Sequence, residues 1–212
     1  MEILKGFLHI FVPLFIIVDP IGCIPLFLGL TEKLPPERKK KVALKASVVA
    51  ALVLTAFSLL GDRLLLYFDI SVASFRVAGG LILLLIALQM IQAQPRATKS
   101  LPEEEEESRQ KEDVAIVPLG VPILAGPGAI TTILVFTAGE ANFILRFKVI
   151  IAIFTVALIS FLMFSNAARI AKMLGQTGTN LFVRIMGLIL AVISVEYMAR
   201  GLGELFPGLL SP

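Results

Sequence analysis

Two clusters of chain-breaking residues interrupt otherwise apolar stretches, and each brings polar chemistry with it. In Asp19-Pro20-Ile21-Gly22-Cys23-Ile24-Pro25 a carboxylate is followed at once by a proline. A helix running from Lys5 would carry that carboxylate about 21 Å into the apolar run. In the second cluster, Gly120-Val121-Pro122 precedes Gly126-Pro127-Gly128-Ala129-Ile130-Thr131-Thr132. Proline lacks an amide donor and clashes with the carbonyl one turn back, while glycine lets the chain leave helical geometry. Both stretches are therefore expected to unwind.

A half-helix restarting after Gly128 would turn free amides and its positive dipole end toward an anion, with the Thr131 and Thr132 hydroxyls nearby. Asp19 offers the opposite charge. A carboxylate deep in a bilayer costs roughly 2.5 to 3.5 kcal/mol, so it is expected to face a partner or water, or to hold a proton. The pair suits a small zwitterion with an uncharged side chain, its carboxylate at the restarted helix and its ammonium at Asp19. The candidate binding residues are thus Asp19, Pro20, Gly22, Cys23, Gly126, Pro127, Gly128, Ala129, Thr131 and Thr132. A plainer reading stands beside this one. Asp19 would serve as a helix cap after the break, and Pro and Gly within apolar helices often mark only a kink or close packing. Packing is the preferred account of Gly79-Gly80 and Gly187.

The elements that must hold these residues follow from composition. Of 212 residues 57% are hydrophobic, only 17% are charged and none is Trp. A water-soluble globule of this size could not enclose so much apolar surface, whereas six membrane helices of roughly 20 residues would use it fully. Charge-poor windows mark six spans, near Gly6 to Thr31 with Asp19 inside it, Val42 to Gly61 with the stem of Lys45, Val77 to Gln94, Val114 to Gly139, Val149 to Ala168, and Leu181 to Met198 with Arg184 and Glu196 near its ends. The first is too long, and too rich in proline, for a cleaved secretory leader. The net charge is only +3 and the cations are dispersed, so no nucleic acid is expected as a partner. Cys23 is the single cysteine, and it can form neither an internal disulfide nor a cysteine metal cluster.

The polar stretch 93–113, with Glu103 to Glu107 in succession, reads as an acidic cytoplasmic linker between a first three-helix repeat (1–92) and a second (114–212). With six spans, Lys5, Arg63, Arg76, Arg146, Lys148 and Arg200 fall on one side and the remaining Lys and Arg, including Lys39 to Lys41, on the other. The positive-inside rule then puts both termini outside. The halves align at an offset of about 107 residues. Arg76 and Gly79 meet Arg184 and Gly187, Phe57-Ser58 meets Phe164-Ser165, and Pro20 meets Pro127. Three spans per half is an odd number, so the expected fold is an all-α membrane protein of two inverted-topology repeats, the first helix of each broken. That design serves alternating access in secondary transporters.

In these residues the sequence resembles the MarC family of six-span membrane proteins. The resemblance rests on Asp19-Pro20-Ile21-Gly22 with Ile24-Pro25-Leu26-Phe27, on Phe75-Arg76-Val77-Ala78-Gly79-Gly80, and on Pro118-Leu119 followed by Leu124 through Thr132. It implies a transporter of the cytoplasmic membrane, with glycine or alanine as leading substrates and a proton gradient as the drive. The family pattern has asparagine where this chain has Cys23, so selectivity is expected to differ. An enzyme is not expected. One histidine excludes an H-E-x-x-H metal site, and no G-x-S-x-G occurs. No cofactor is implied. The competing readings are an exporter of another small solute or a metal cation, for which a single deep carboxylate is a meagre ligand set, and a non-transporting scaffold, which would have no use for paired breaks.

Overall fold

The computed structural model describes residues 2–92, 119–120, 124–137 and 143–209. Within them the chain forms α1 (Glu2–Val18), α2 (Ile24–Leu30), α3 (Pro36–Tyr67), α4 (Val72–Ile91), α5 (Pro127–Thr137), α6 (Phe143–Ser165) and α7 (Ala167–Leu205). Among the described residues there is no strand. The acidic linker and the Val121-Pro122 pair lie outside the described residues.

Among the described residues four helices are long and apolar enough to cross a membrane: α3 over Pro36–Gly61, α4, α6 and α7. The other two expected spans are the interrupted ones, and they supply the short apolar helices. α1 has 17 residues and α5 has 11. The local chemistry accounts for the ends. α3 starts on Pro35-Pro36, whose fixed φ suits a first turn. It stops where Asp69 takes a left-handed φ of 52°, the Asp69 amide bonding to the Leu66 carbonyl and the Ile70 amide to that of Leu65. Ser71 caps α4 by accepting from the Ser74 amide at 3.0 Å.

Several boundaries differ from the charge-poor windows, because a helix does not end where lipid does. At 32 residues α3 is about 48 Å long, well beyond a hydrocarbon core, and its basic first turns carry Arg38 to Lys41 past the apolar stretch. α4 begins at Val72 and α6 at Phe143, each several residues earlier than charge alone suggests. α7 extends over 39 residues and is two helical pieces joined at Gly175, whose φ of 61° and ψ of −179° only glycine adopts freely.

α4 packs most extensively on α7, α3 on α6, and α1 on both α5 and α6. Gly80 approaches the Ser194 carbonyl so closely that an added Cβ would sit 2.8 Å from it, and Gly187 stands likewise 3.0 Å from the Ala87 carbonyl. Those contacts bear out packing as the role of Gly80 and Gly187. Side chains turned outward are large and apolar, among them Leu52 and Leu59 on α3, Leu85 on α4, Leu158 on α6 and Val192 on α7. Side chains turned inward include many small ones, such as Ala43, Ala46, Ala50 and Ala152, beside larger ones such as Leu83 and Phe164. Apolar exposure on this scale suits lipid, not water.

Candidate functional site

The first break is a single closed turn. α1 keeps its ladder as far as the Asp19 amide, which donates to the Phe15 carbonyl at 2.9 Å, and then Asp19 adopts a φ of 46°. Aspartate tolerates this left-handed geometry better than most residues. Its Oδ1 accepts from the Gly22 amide at 3.0 Å, and its carbonyl accepts from the Cys23 amide at 3.1 Å. A Cβ at Gly22 would fall on the Asp19 carboxylate, so the turn closes only with glycine there. The Cys23 thiol reaches back to the Val18 carbonyl at 3.7 Å, a weak bond to a group the break has freed. Asp19, Pro20 and Cys23 are all buried. The capping reading of Asp19 therefore has a geometric basis, with the carboxylate spanning the turn before α2.

The second break shows at Ala125 and Gly126. The Ala125 amide donates to the carbonyl five residues back, at Gly120, a wide turn that ends the preceding segment. Gly126 then opens α5, its carbonyl accepting from the Ile130 amide at 3.1 Å, with Pro127 at the first helical position. Gly126 has no side chain with which to cap the amides of Gly128 and Ala129. Gly126, Gly128 and Ala129 are buried, and Pro127 is exposed. The Thr132 hydroxyl donates to the Gly128 carbonyl of its own helix at 2.9 Å, and the Thr131 methyl packs against Gly79 of α4.

The two breaks come together. A Cβ at Gly128 would lie 2.8 Å from Ile17, the penultimate residue of α1. Val18 and Leu124, the residues immediately before Asp19 and Ala125, line one small cavity with Ala50, Ala51 and Leu54 of α3 and Ile153, Val156, Ala157 and Ser160 of α6. It has room for about one water molecule. Its lining is aliphatic apart from Ser160, whose hydroxyl donates to the Val156 carbonyl at 2.8 Å. These lining residues were not singled out from sequence. The signal was present, since Ala50 and Ala157 occupy matching positions in the two halves. Among the described residues no group of three or more His, Cys, Asp or Glu side chains could hold a metal ion.

Sequence comparison bears on the same residues. The profile described as "MarC family integral membrane protein" matches residues 4–206, which include both breaks and all six apolar segments. The chain belongs to the MarC family. Among MarC-related membrane proteins, YvbG of Bacillus subtilis is 39% identical over 204 residues, covering 96% of this chain and 97% of its own length. YhcE of Escherichia coli is 36% identical, covering 95% and 94%. A membrane protein of Methanocaldococcus jannaschii is 36% identical, covering 97% and 90%. No solved structure matches the chain. Family membership makes this an integral, multi-pass membrane protein, in keeping with its four long apolar helices.

Two ion pairs lie near helix ends of the MarC bundle. Arg76, near the start of α4, is ion-paired with Glu204, near the end of α7. Glu196 and Arg200 pair along α7 at 2.8 Å and are exposed. Both contacts agree with helix-end and surface roles, and His9 lies edge-on to Phe136 at 5.6 Å between centroids.

Proposed function

We propose that this protein is a secondary carrier of small neutral amino acids, glycine and alanine first, driven by a proton gradient and working by alternating access. The observation that carries the reading is that Val18 and Leu124, which directly precede the two breaks, line one small cavity together with residues from both halves of the chain. One break holds a buried carboxylate and the other opens α5 at its positive dipole end, so the two ends offer opposite partial charges to a zwitterion. The aliphatic lining favours hydrogen or methyl as the substrate side chain. In its closed form the cavity is smaller than any amino acid, so the ends of α1 and α5 must part for binding.

The repeat gives this motion a physical basis. Two pairs of helices matched by the repeat pack on one another, α3 on α6 and α4 on α7. Inverted repeats make an outward-open and an inward-open arrangement near-equal in energy, because the contacts broken in one half are formed in the other. In this reading the two three-helix repeats rock about the breaks, and both termini face outward in the cytoplasmic membrane.

The deciding experiment is uptake of labelled glycine and alanine into proteoliposomes holding the purified protein, with and without an imposed pH gradient. Gradient-dependent accumulation of both is expected, with exclusion of leucine and lysine. Accumulation equal to protein-free liposomes under either polarity of gradient rejects the carrier reading.

A further inference from the structure

Most buried hydroxyls in this bundle are satisfied by their own helix. Thr31, Thr132, Thr137, Ser160 and Thr179 each donate to the carbonyl four residues back, at 2.7 to 3.0 Å. Ser47 and Ser58 of α3 depart from this rule. They are 3% and 1% exposed, yet neither hydroxyl has a hydrogen-bond partner among the described residues. Ser165, matched to Ser58 by the repeat, shares that property. A dry, unpartnered hydroxyl is costly, and alanine would fill the same space without it.

Register explains where these two serines belong. They are 11 residues apart, which on a helix is about 16 Å along the axis and about 20° around it. Ala50, Ala51 and Leu54, the α3 residues that line the cavity, fall between them on the same face. One orphan hydroxyl therefore lies on each side of the closed cavity. Ser58 is toward the end where the Arg146 guanidinium donates to the Ser58 carbonyl at 3.5 Å, and Ser47 is toward the basic end that begins with Arg38.

We infer that this face of α3 lines the route by which the substrate enters and leaves, the Ser47 and Ser58 hydroxyls meeting water or substrate when the cavity opens to one side or the other. The inference rests on the carrier reading and adds to it the route. In the closed form both hydroxyls are sealed. Opening toward the Arg146 end hydrates Ser58, and opening toward the Arg38 end hydrates Ser47.

The test is thiol accessibility of Ser47→Cys and Ser58→Cys in oriented proteoliposomes, using a membrane-impermeant methanethiosulfonate. The unaltered chain with Cys23 is the blank, and Leu52→Cys, on the outward face of α3, is the lipid-facing control. Each serine variant should react from its own side at least about tenfold faster than Leu52→Cys, because only a hydrated thiol ionises to the reactive thiolate. Saturating glycine should change both rates. Reaction at neither position, or at both from one side only, overturns the inference. Should a serine variant fail to fold, Ala51→Cys decides instead, with reaction from both sides supporting the route and from neither rejecting it. Uptake without accessibility rejects the route and leaves the carrier standing. Accessibility from opposite sides without glycine or alanine uptake supports the route and rejects those substrates.

Discussion

Asp19 can be asked separately for its charge and its shape. Its Oδ1 holds the Gly22 amide, and its backbone occupies the left-handed region. Asparagine can make the same bond and visits that region readily, so Asp19→Asn should keep the turn. Alanine can do neither. Loss of the cap costs about 0.5 to 2 kcal/mol and the left-handed backbone about 1 to 2 kcal/mol more. Asp19→Ala should therefore lose about 1.5 to 4 kcal/mol of stability beyond Asp19→Asn, read as a lower thermal midpoint in detergent. For substrate the order changes. A hydrogen bond to a charged group exceeds a neutral one by about 1 to 2 kcal/mol, so Asp19→Asn should weaken glycine binding about 5- to 30-fold. On the carrier reading, gradient-driven uptake should also disappear, because the carboxylate is gone. Calorimetry and proteoliposome uptake check both. Wild-type affinity and uptake in Asp19→Asn would confine the carboxylate to capping, and equal stability of the two variants would refute the cap.

Three further outcomes follow from the packing. Gly22→Ala should lose about 0.5 to 2 kcal/mol together with transport, since the new Cβ displaces the Asp19 carboxylate from the Gly22 amide; unchanged melting and uptake would argue against the closed turn. Gly80→Ala should cost about 1 to 3 kcal/mol because backbone atoms of α7 cannot yield, whereas Gly29→Ala, with nothing within 4 Å of its Cβ, should be neutral or gain up to about 1 kcal/mol. The same chemical change at the two sites makes thermal unfolding a direct comparison, and equal effects would remove the close α4–α7 approach. The Arg76–Glu204 pair, with side chains 22% and 49% exposed, should show a coupling below about 1 kcal/mol in a double-mutant cycle, falling with salt. A salt-independent coupling several times larger would mean the pair is shielded from water.

The sequence by itself determined the membrane setting, the location of both breaks and the four uninterrupted spans. Those properties are local, since Asp19-Pro20 and Gly126-Pro127 disrupt a helix through their own bonds and sterics, and mean apolarity needs no neighbour to be read. Tertiary structure decided which residues surround the cavity, that Thr132 bonds to its own helix while Thr131 meets Gly79, and that Ser47 and Ser58 share the face of Ala50. It also set the full reach of α3 and α7, whose charged ends continue as helix beyond the apolar windows. In water, the contrast of apolar and polar side chains would have shown which face of each helix points inward. Lipid is as apolar as the bundle interior, so that contrast is missing here, and the inward faces of α3, α4, α6 and α7 were selected by small residues fitting a neighbouring helix, which only the assembled bundle reveals.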